Sequence, residues 1–190
     1  MALTSSALPL GTAAPNFALL DTISDKLISL QDVASNKATV IMFLCNQCPF
    51  VQHILDGVLA VAREYREKGV NFVGISANDV SINPEDGPQQ MKALARAKSI
   101  PFPYLYDQTQ QVARTFQAVC TPEFYVFDRC MRLAYHGQFD DSRPGNEVPV
   151  TGQDLRQALD DLLTGQPVSV DQKPCIGCGI KWRPQSEVVD

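Results

Sequence analysis

Cys45 and Cys48 are three residues apart, and Pro49 follows directly. Residues 38–44 ahead of them are apolar and partly β-branched, the pattern of a strand buried on both faces of a parallel sheet. Beyond them Val51, Ile54, Leu55, Val58, Leu59, Ala62 and Tyr65 recur at spacings of three and four, while Arg63, Glu64, Arg66 and Glu67 are polar. That spacing predicts a helix with one buried face. Pro49 has no N–H to lose at the first helical position and pushes the residue before it out of the α region, so Cys48 is the expected N-cap. A thiolate there meets free backbone N–H groups and the positive end of the helix dipole, and both lower its pKa. Cys45 ends the strand within disulfide reach of Cys48. Two thiols at a strand-to-helix turn are the arrangement expected for dithiol–disulfide chemistry.

The elements around this pair follow a β-α-β order. Residues 16–20 read as a short edge strand and residues 28–30 as a second one; residues 70–77 form the next buried strand after the helix. Residues 78–87 are a polar connection with Asn-Pro and Asp-Gly turn signals, and Pro88 opens a helix to about Lys98. Residues 100–106 are too rich in proline for a central strand and are expected at most to touch a sheet edge. A short helix over 109–116 precedes two strands, 123–128 and 131–136, joined by a tight turn at Arg129-Cys130. Thr151-Gly152-Gln153-Asp154 resembles a capping box, and Leu155, Ala158, Leu159, Leu162 and Leu163 line one face of a last helix stopped by Gly165 and Pro167. Residues 166–190 are a polar tail carrying Cys175 and Cys178. The expected organisation is a domain over 1–165 followed by that tail.

The chain has 190 residues, a net charge of −5 and no cluster of Lys or Arg, which argues against nucleic acid or an anionic membrane as partner. Residues 1–25 lack Lys and Arg, and residues 7–10 are too short for a signal-peptide core, so a cytoplasmic protein is expected. In that compartment six cysteines point to catalysis or metal binding before a static disulfide framework. Two C-x-x-C pairs also invite a four-thiolate zinc site. However, the pairs are far apart and the first flanks a buried strand, so neither metal nor cofactor is expected.

The β-α-β unit with its C-x-x-C, the Thr121-Pro122 dipeptide before a hairpin and the final helix resemble the thioredoxin fold. The expected architecture is α/β, a central mixed sheet flanked by helices, with an N-terminal β extension and a C-terminal tail. The resemblance implies a cis Thr121-Pro122 peptide against the C-x-x-C, with the Thr121 backbone able to pair with an extended substrate. The Ala14-Pro15-x-Phe17-x-Leu19 prologue resembles the peroxiredoxin and redoxin branch. Residues 45–51, 118–122 and 177–182 resemble more closely the peroxiredoxin-like group of thioredoxin-family proteins. Cys48-Pro49 matches the peroxidatic Cys-Pro pair, whereas Cys45 stands where peroxiredoxins hold a peroxide-binding threonine, and the place of the active-site arginine falls at Thr121-Pro122. Two donors to the O–O bond are thereby missing, each worth about 2–4 kcal/mol by analogy with oxyanion-hole deletions.

The function this implies is thiol–disulfide exchange cycling Cys45 and Cys48 on protein or small-molecule disulfides, with a thioredoxin-type reductant as partner. Cys45, taken as the more exposed thiol, is favoured as nucleophile, although the N-cap argument allows the roles to be exchanged. The alternatives are a thiol peroxidase using Cys48, with Cys45 or Cys178 resolving, and a non-catalytic redox sensor or binding module. Cys120, Cys175 and Cys178 are candidate accessory thiols. The stretch from Gly165 to Cys178 spans roughly 40 Å when extended, against a domain radius of gyration of about 16 Å, so the tail can reach the site. Glu123 and Asp79 are candidate proton acceptors; His53 and His136 are expected to lie away from the chemistry, His136 at the surface. Cys130 is expected in an exposed turn.

Overall fold

Alternate side chains of the apolar run at 38–43 enter two separate cores. Val40 and Met42 pack on one side with Val51, Val58, Leu155 and Leu159, while Ile41 and Phe43 pack on the other with Leu30, Val33, Ala113 and Phe116. A strand covered on both faces is the only element that can carry such a run. The structure, a computed structural model, describes residues 2–5 and 8–184. The last residues of the tail, 185–190, lie outside the described residues.

In chain order the first elements are β1 (Ala2–Thr4), β2 (Ala18–Asp21), β3 (Leu27–Ser29), α1 (Leu30–Val33) and β4 (Ala38–Phe43). Then come α2 (Pro49–Arg66), β5 (Val70–Ser76), α3 (Pro88–Lys98), β6 (Tyr104–Tyr106) and α4 (Gln111–Thr115). The chain continues through β7 (Cys120–Thr121), β8 (Glu123–Asp128), β9 (Leu133–Gly137), α5 (Gln153–Thr164) and β10 (Ile176–Gly179). A seven-stranded mixed sheet runs β3-β2-β6-β5-β4-β8-β9, with β4–β5 and β5–β6 parallel and the other pairs antiparallel. Helices α2 and α5 cover one face, α1 and α4 the other. This is the thioredoxin-like architecture expected from the sequence. No helix among the described residues is long and apolar enough to cross a membrane.

A second, three-stranded antiparallel sheet, β1-β10-β7, joins the N-terminal extension and the tail to the edge of the domain. Backbone atoms do most of this work. Cys178 pairs with Thr121 and Gly179 with Cys120 on one side of β10, and Ala2, Leu3 and Thr4 pair along the other.

Several local expectations are corrected. Residues 104–106 form β6 inside the sheet, between β2 and β5, because Pro101 and Pro103 precede the strand and leave its own N–H groups free to pair. Pairing with β6 on one side and β3 on the other makes β2 interior, where an edge strand was expected, and leaves β3 at the edge. The capping box at Thr151 does not form: Gly152 is the N-cap without a side-chain bond, and buried Asp140 instead accepts from the N–H groups of Thr151 and Gly152, at 2.7 and 2.6 Å. His136 is buried, not at the surface, with Nε2 2.8 Å from Glu123 Oε1.

Candidate active site

Helix α2 starts as its sequence dictates. Pro49 is the first helical residue and Cys48 the N-cap, in extended backbone at φ −78° and ψ 120°. The loop between β4 and α2 is held by Asp86, which sits fully buried on a short 3-10 turn, Pro84–Asp86, within the polar connection after β5. Its Oδ1 accepts the backbone N–H groups of Asn46 and Gln47 at 2.7 and 3.0 Å. Its Oδ2 accepts from the side-chain amides of Asn78 and Asn83 at 2.8 and 3.3 Å. Four donors on one carboxylate lock the backbone on which both thiols are mounted.

Thr121 touches every thiol of the site. Its Oγ1 lies 3.1 Å from Cys45 Sγ, its carbonyl oxygen 3.1 Å from Cys48 Sγ, and its backbone pairs with Cys178. The Thr121-Pro122 peptide is cis, as the resemblance implied. Cys45 and Cys48 are each only 2% exposed, and Cys178 on β10 lies beside Cys48. Cys45 is therefore not the more exposed thiol of the pair; Cys178, half-buried on β10, is the more accessible one.

The three thiols differ sharply in acidity. Cys48 is lowered to about 5 by the Cys45 thiol donating to its sulfur, with further help from the thiol of Cys178 and from the N–H groups of Val51 and Cys178; burial opposes this. The Val51 N–H acts through the field at the helix start, for no geometric side-chain cap is formed there. The Thr121 carbonyl, which can only accept, favours the protonated form of Cys48, but the donors outnumber it. Cys45 is pushed far up, first because its proton is held between the two sulfurs, then by burial and by the charge of Asp86. Cys178 is raised to about 11 by burial and by its bond to Cys48. With Cys48 as the anion, the Cys45 thiol is turned toward it and the Thr121 hydroxyl, 3.1 Å away, is left to donate to the Cys45 sulfur.

The remaining candidates fall outside this cluster of three. Cys120 is buried, its sulfur 3.8 Å from Glu123 Oε2, and burial followed by the Glu123 charge pushes its pKa up. Cys175 is buried too and donates to the Gly137 carbonyl at 2.9 Å; burial and then Glu123 raise it as well. Glu123 accepts from the N–H groups of Val119 and Cys120, the Tyr125 hydroxyl and His136, and so is saturated by structural donors rather than poised to take a proton from Cys45 or Cys48. Asp79 is occupied by Ser81 and lies 3.5 Å from Arg183. His53 bonds Ser142 at 2.7 Å on the outer side of α2, and Cys130 is exposed in the β8–β9 turn. Asp86 is the residue that sequence reasoning missed; its only local signal was the Asn-Pro-Glu-Asp-Gly turn, which indicates a bend and not what the bend holds.

Comparisons with known proteins agree with this architecture. The model of the AhpC/TSA family matches residues 10–136. A crystal structure of an uncharacterized conserved protein from Geobacillus kaustophilus superposes with a TM-score of 0.96 at 52% identity, covering 98% of each chain. A hypothetical protein from Sinorhizobium meliloti 1021 gives 0.92 at 42% identity, over 95% of this chain and 98% of that one. A thioredoxin-family thiol:disulfide interchange protein from Chlorobium tepidum TLS gives 0.62 at 17% identity, over 83% and 99%, a likeness of fold alone. Among curated proteins none matches the chain. The matched family region runs from the loop before β2 into β9, taking in Cys45, Cys48 and Thr121 and leaving β10 outside it, and the chain belongs to the AhpC/TSA family.

Proposed function

We propose that the protein is a thiol–disulfide oxidoreductase in which Cys48 is the nucleophile and Cys45 resolves. The observation that carries this reading is the position of Cys48 as N-cap of α2, ahead of Pro49, where the helix-start field and the neighbouring thiol of Cys45 lower its pKa, while Cys45 lies 3.1 Å from the Thr121 hydroxyl. The Cys48 thiolate attacks one sulfur of a substrate disulfide, forms a mixed disulfide and expels the other sulfur as a thiolate. Cys45 then loses its proton to the expelled thiolate and attacks Cys48, releasing the second substrate thiol and leaving a Cys45–Cys48 disulfide. Two electrons have moved to the substrate, and a thioredoxin-type dithiol restores the enzyme. The roles are thus the reverse of those favoured from the motif, because acidity follows the donors around each sulfur and not the order of the cysteines. A cytoplasmic setting, with reducing equivalents at hand, suits this cycle.

Turnover of a small aromatic disulfide tests the reading. Cys48→Ser is expected to abolish it, and Cys45→Ser combined with Cys178→Ser to accumulate a mixed disulfide on Cys48. Activity retained in Cys48→Ser would refute it.

Burial of both sulfurs favours small oxidants, which gives a second reading in which Cys48 attacks a hydroperoxide, releases the alcohol and becomes a sulfenic acid. Condensation with the Cys45 thiol then expels water and forms the same disulfide. Against fast peroxide reduction, the Arg143 guanidinium is engaged by the carbonyls of Asp140 and Ser142 and by the Gln138 side chain, and Arg143 is not among the groups that act on Cys48. Hydrogen peroxide consumption at a rate no greater than that of a free low-pKa thiol would remove this second reading.

A further inference from the structure

Cys178 is placed where an exchange partner would have to be. Strand β10 lies along β7 with Cys178 opposite Thr121, and the Cys48 sulfur sits 3.1 Å from the Thr121 carbonyl oxygen, so Thr121 brings Cys178 and Cys48 side by side. The approach is tight: a Cβ on Gly177 would lie 2.0 Å from the Thr121 carbonyl oxygen and 2.6 Å from its carbon, so only glycine fits beside the cysteine.

The strand is also clamped at both ends. Before it, Cys175 and Ser5 exchange backbone and hydroxyl bonds of 3.0 and 2.9 Å, and Cys175 Sγ is tied to Gly137. After it, Lys181 is bonded through Asn78, Asp79 and Gln110, and the Trp182 ring stacks against the Arg114 guanidinium with 4.5 Å from its Cζ to the ring centroid. This is not a loose tail that happens to pass the site.

The neighbouring thiol of the second C-x-x-C pair is unavailable to Cys178. Three residues of extended chain separate the two α-carbons by roughly 10 Å, beyond the ~7 Å limit for a disulfide. While β10 stays in register, Cys178 therefore has Cys48 as its partner. The accessibilities point the same way. A folded protein dithiol cannot reach the buried Cys45 and Cys48, whereas it can reach the half-buried Cys178.

We propose that Cys178 is the exchange thiol through which this site meets a protein dithiol: it forms an internal disulfide with Cys48, and the partner opens that bond by attacking the Cys178 sulfur. The proposal rests on the thiol–disulfide reading above. In the oxidative half, a small disulfide leaves the Cys45–Cys48 bond, and the Cys178 thiolate attacks Cys48, expelling Cys45, which takes up the proton that Cys178 lost. In the reductive half, a protein thiolate attacks Cys178, forms a mixed disulfide there and expels Cys48 as thiolate. The partner's second thiol then releases Cys178, and the partner leaves oxidised. Cys48 is the most acidic of the three thiols and hence the best leaving group for that attack.

The test uses the full chain. Reduced protein is oxidised with one equivalent of hydroxyethyl disulfide, quenched in acid, and its disulfide peptides are mapped by mass spectrometry. A second portion of oxidised protein is mixed with thioredoxin lacking its resolving cysteine. The expected results are a Cys48–Cys178 peptide and a thioredoxin adduct on Cys178. Reduction of oxidised Cys178→Ser by intact thioredoxin is expected to be at least tenfold slower than that of wild type or of Cys130→Ser. A Cys45–Cys48 bond as the only internal disulfide, an adduct on Cys45 or Cys48, or equal reduction rates for Cys178→Ser and wild type would overturn the proposal while leaving exchange at Cys45 and Cys48 standing. Failure of Cys48 to form any disulfide would overturn both.

Discussion

Replacing Cys45 by alanine removes the donor that contributes most to the acidity of Cys48, and the size of the effect can be worked out. A free cysteine titrates near 8.5, and Cys48 is lowered to about 5. At about 1.4 kcal/mol per pH unit, that is a preference for the anion of about 5 kcal/mol. Hydrogen bonds to charged groups are worth about 1.5–3 kcal/mol each, so loss of the Cys45 thiol raises the Cys48 pKa by ~1–2 units, to ~6–7. Cys45→Ser keeps an O–H donor at the same place and is expected to hold the value close to that of wild type. The assay is ultraviolet thiolate absorbance against pH on fully reduced protein, with Cys48→Ser as the blank. Absence of a wild-type step near pH 5, a step near pH 5 that survives in Cys48→Ser, or identical titrations for Cys45→Ala and Cys45→Ser would refute the assignment of the thiolate and its donor.

The same ionisation makes stability depend on pH. Between pH ~5 and ~8.5 the folded chain carries Cys48 as anion while the unfolded chain still binds that proton, so stability rises with pH across this window and is lost as pH falls toward 5. Above ~8.5 the sign reverses, because Cys178, raised to about 11, and the upward-shifted Cys45, Cys120 and Cys175 hold protons that the unfolded chain releases. Urea unfolding against pH is expected to peak near pH 8–9 in reducing buffer, and Cys48→Ala to flatten the acid side. Asp86→Asn puts an amide donor against donors, since the carboxylate accepts from four N–H groups; a loss of about 2–4 kcal/mol in denaturant unfolding is expected, together with a lower Cys45 pKa. Gly177→Ala forces β10 away from the Thr121 carbonyl. At about 1–3 kcal/mol for overpacking, transient exposure of Cys48 rises roughly 5- to 150-fold, read as a faster rate of alkylation by iodoacetamide.

The parts of this fold that can be read locally were legible, and they are the parts set by period and by backbone chemistry. The run at 38–43, the three-four spacing along α2, Pro49 at its start and Gly165 at the end of α5 each act within one element, and each stands where the pattern puts it. The misreadings share a different cause. The prolines at 101 and 103 argued against a central strand, yet they fall just before the paired residues. His136, an isolated polar residue at the end of a strand pattern, reads as a surface residue. It is instead paid for in full by distant partners, the Leu8 N–H at 3.2 Å on Nδ1 and Glu123 on Nε2.

The site itself was half legible for the same physical reason. The pair of thiols, the N-cap and the Thr121-Pro122 peptide are visible as short motifs, but the identity of the thiolate is not, because acidity belongs to the surroundings of a sulfur and not to its place in C-x-x-C. Two of the groups that lower Cys48, the thiol and N–H of Cys178, arrive on a strand with almost no apolar pattern, Ile-Gly-Cys-Gly, whose register is set by pairing with Thr121 far back in the chain. The group that most directly braces the loop, Asp86, arrives from beyond β5. A reading confined to the motif leaves the attacking role open, with assumed exposure favouring Cys45 and the N-cap position favouring Cys48. Under the proposed cycle, with β10 bringing the Cys178 thiol and N–H to Cys48, the attacking role falls to Cys48 and the resolving role to Cys45. The tail is then part of the redox centre's electrostatics even in the reduced state, so deleting Cys178 should change the acidity of Cys48 before any disulfide forms.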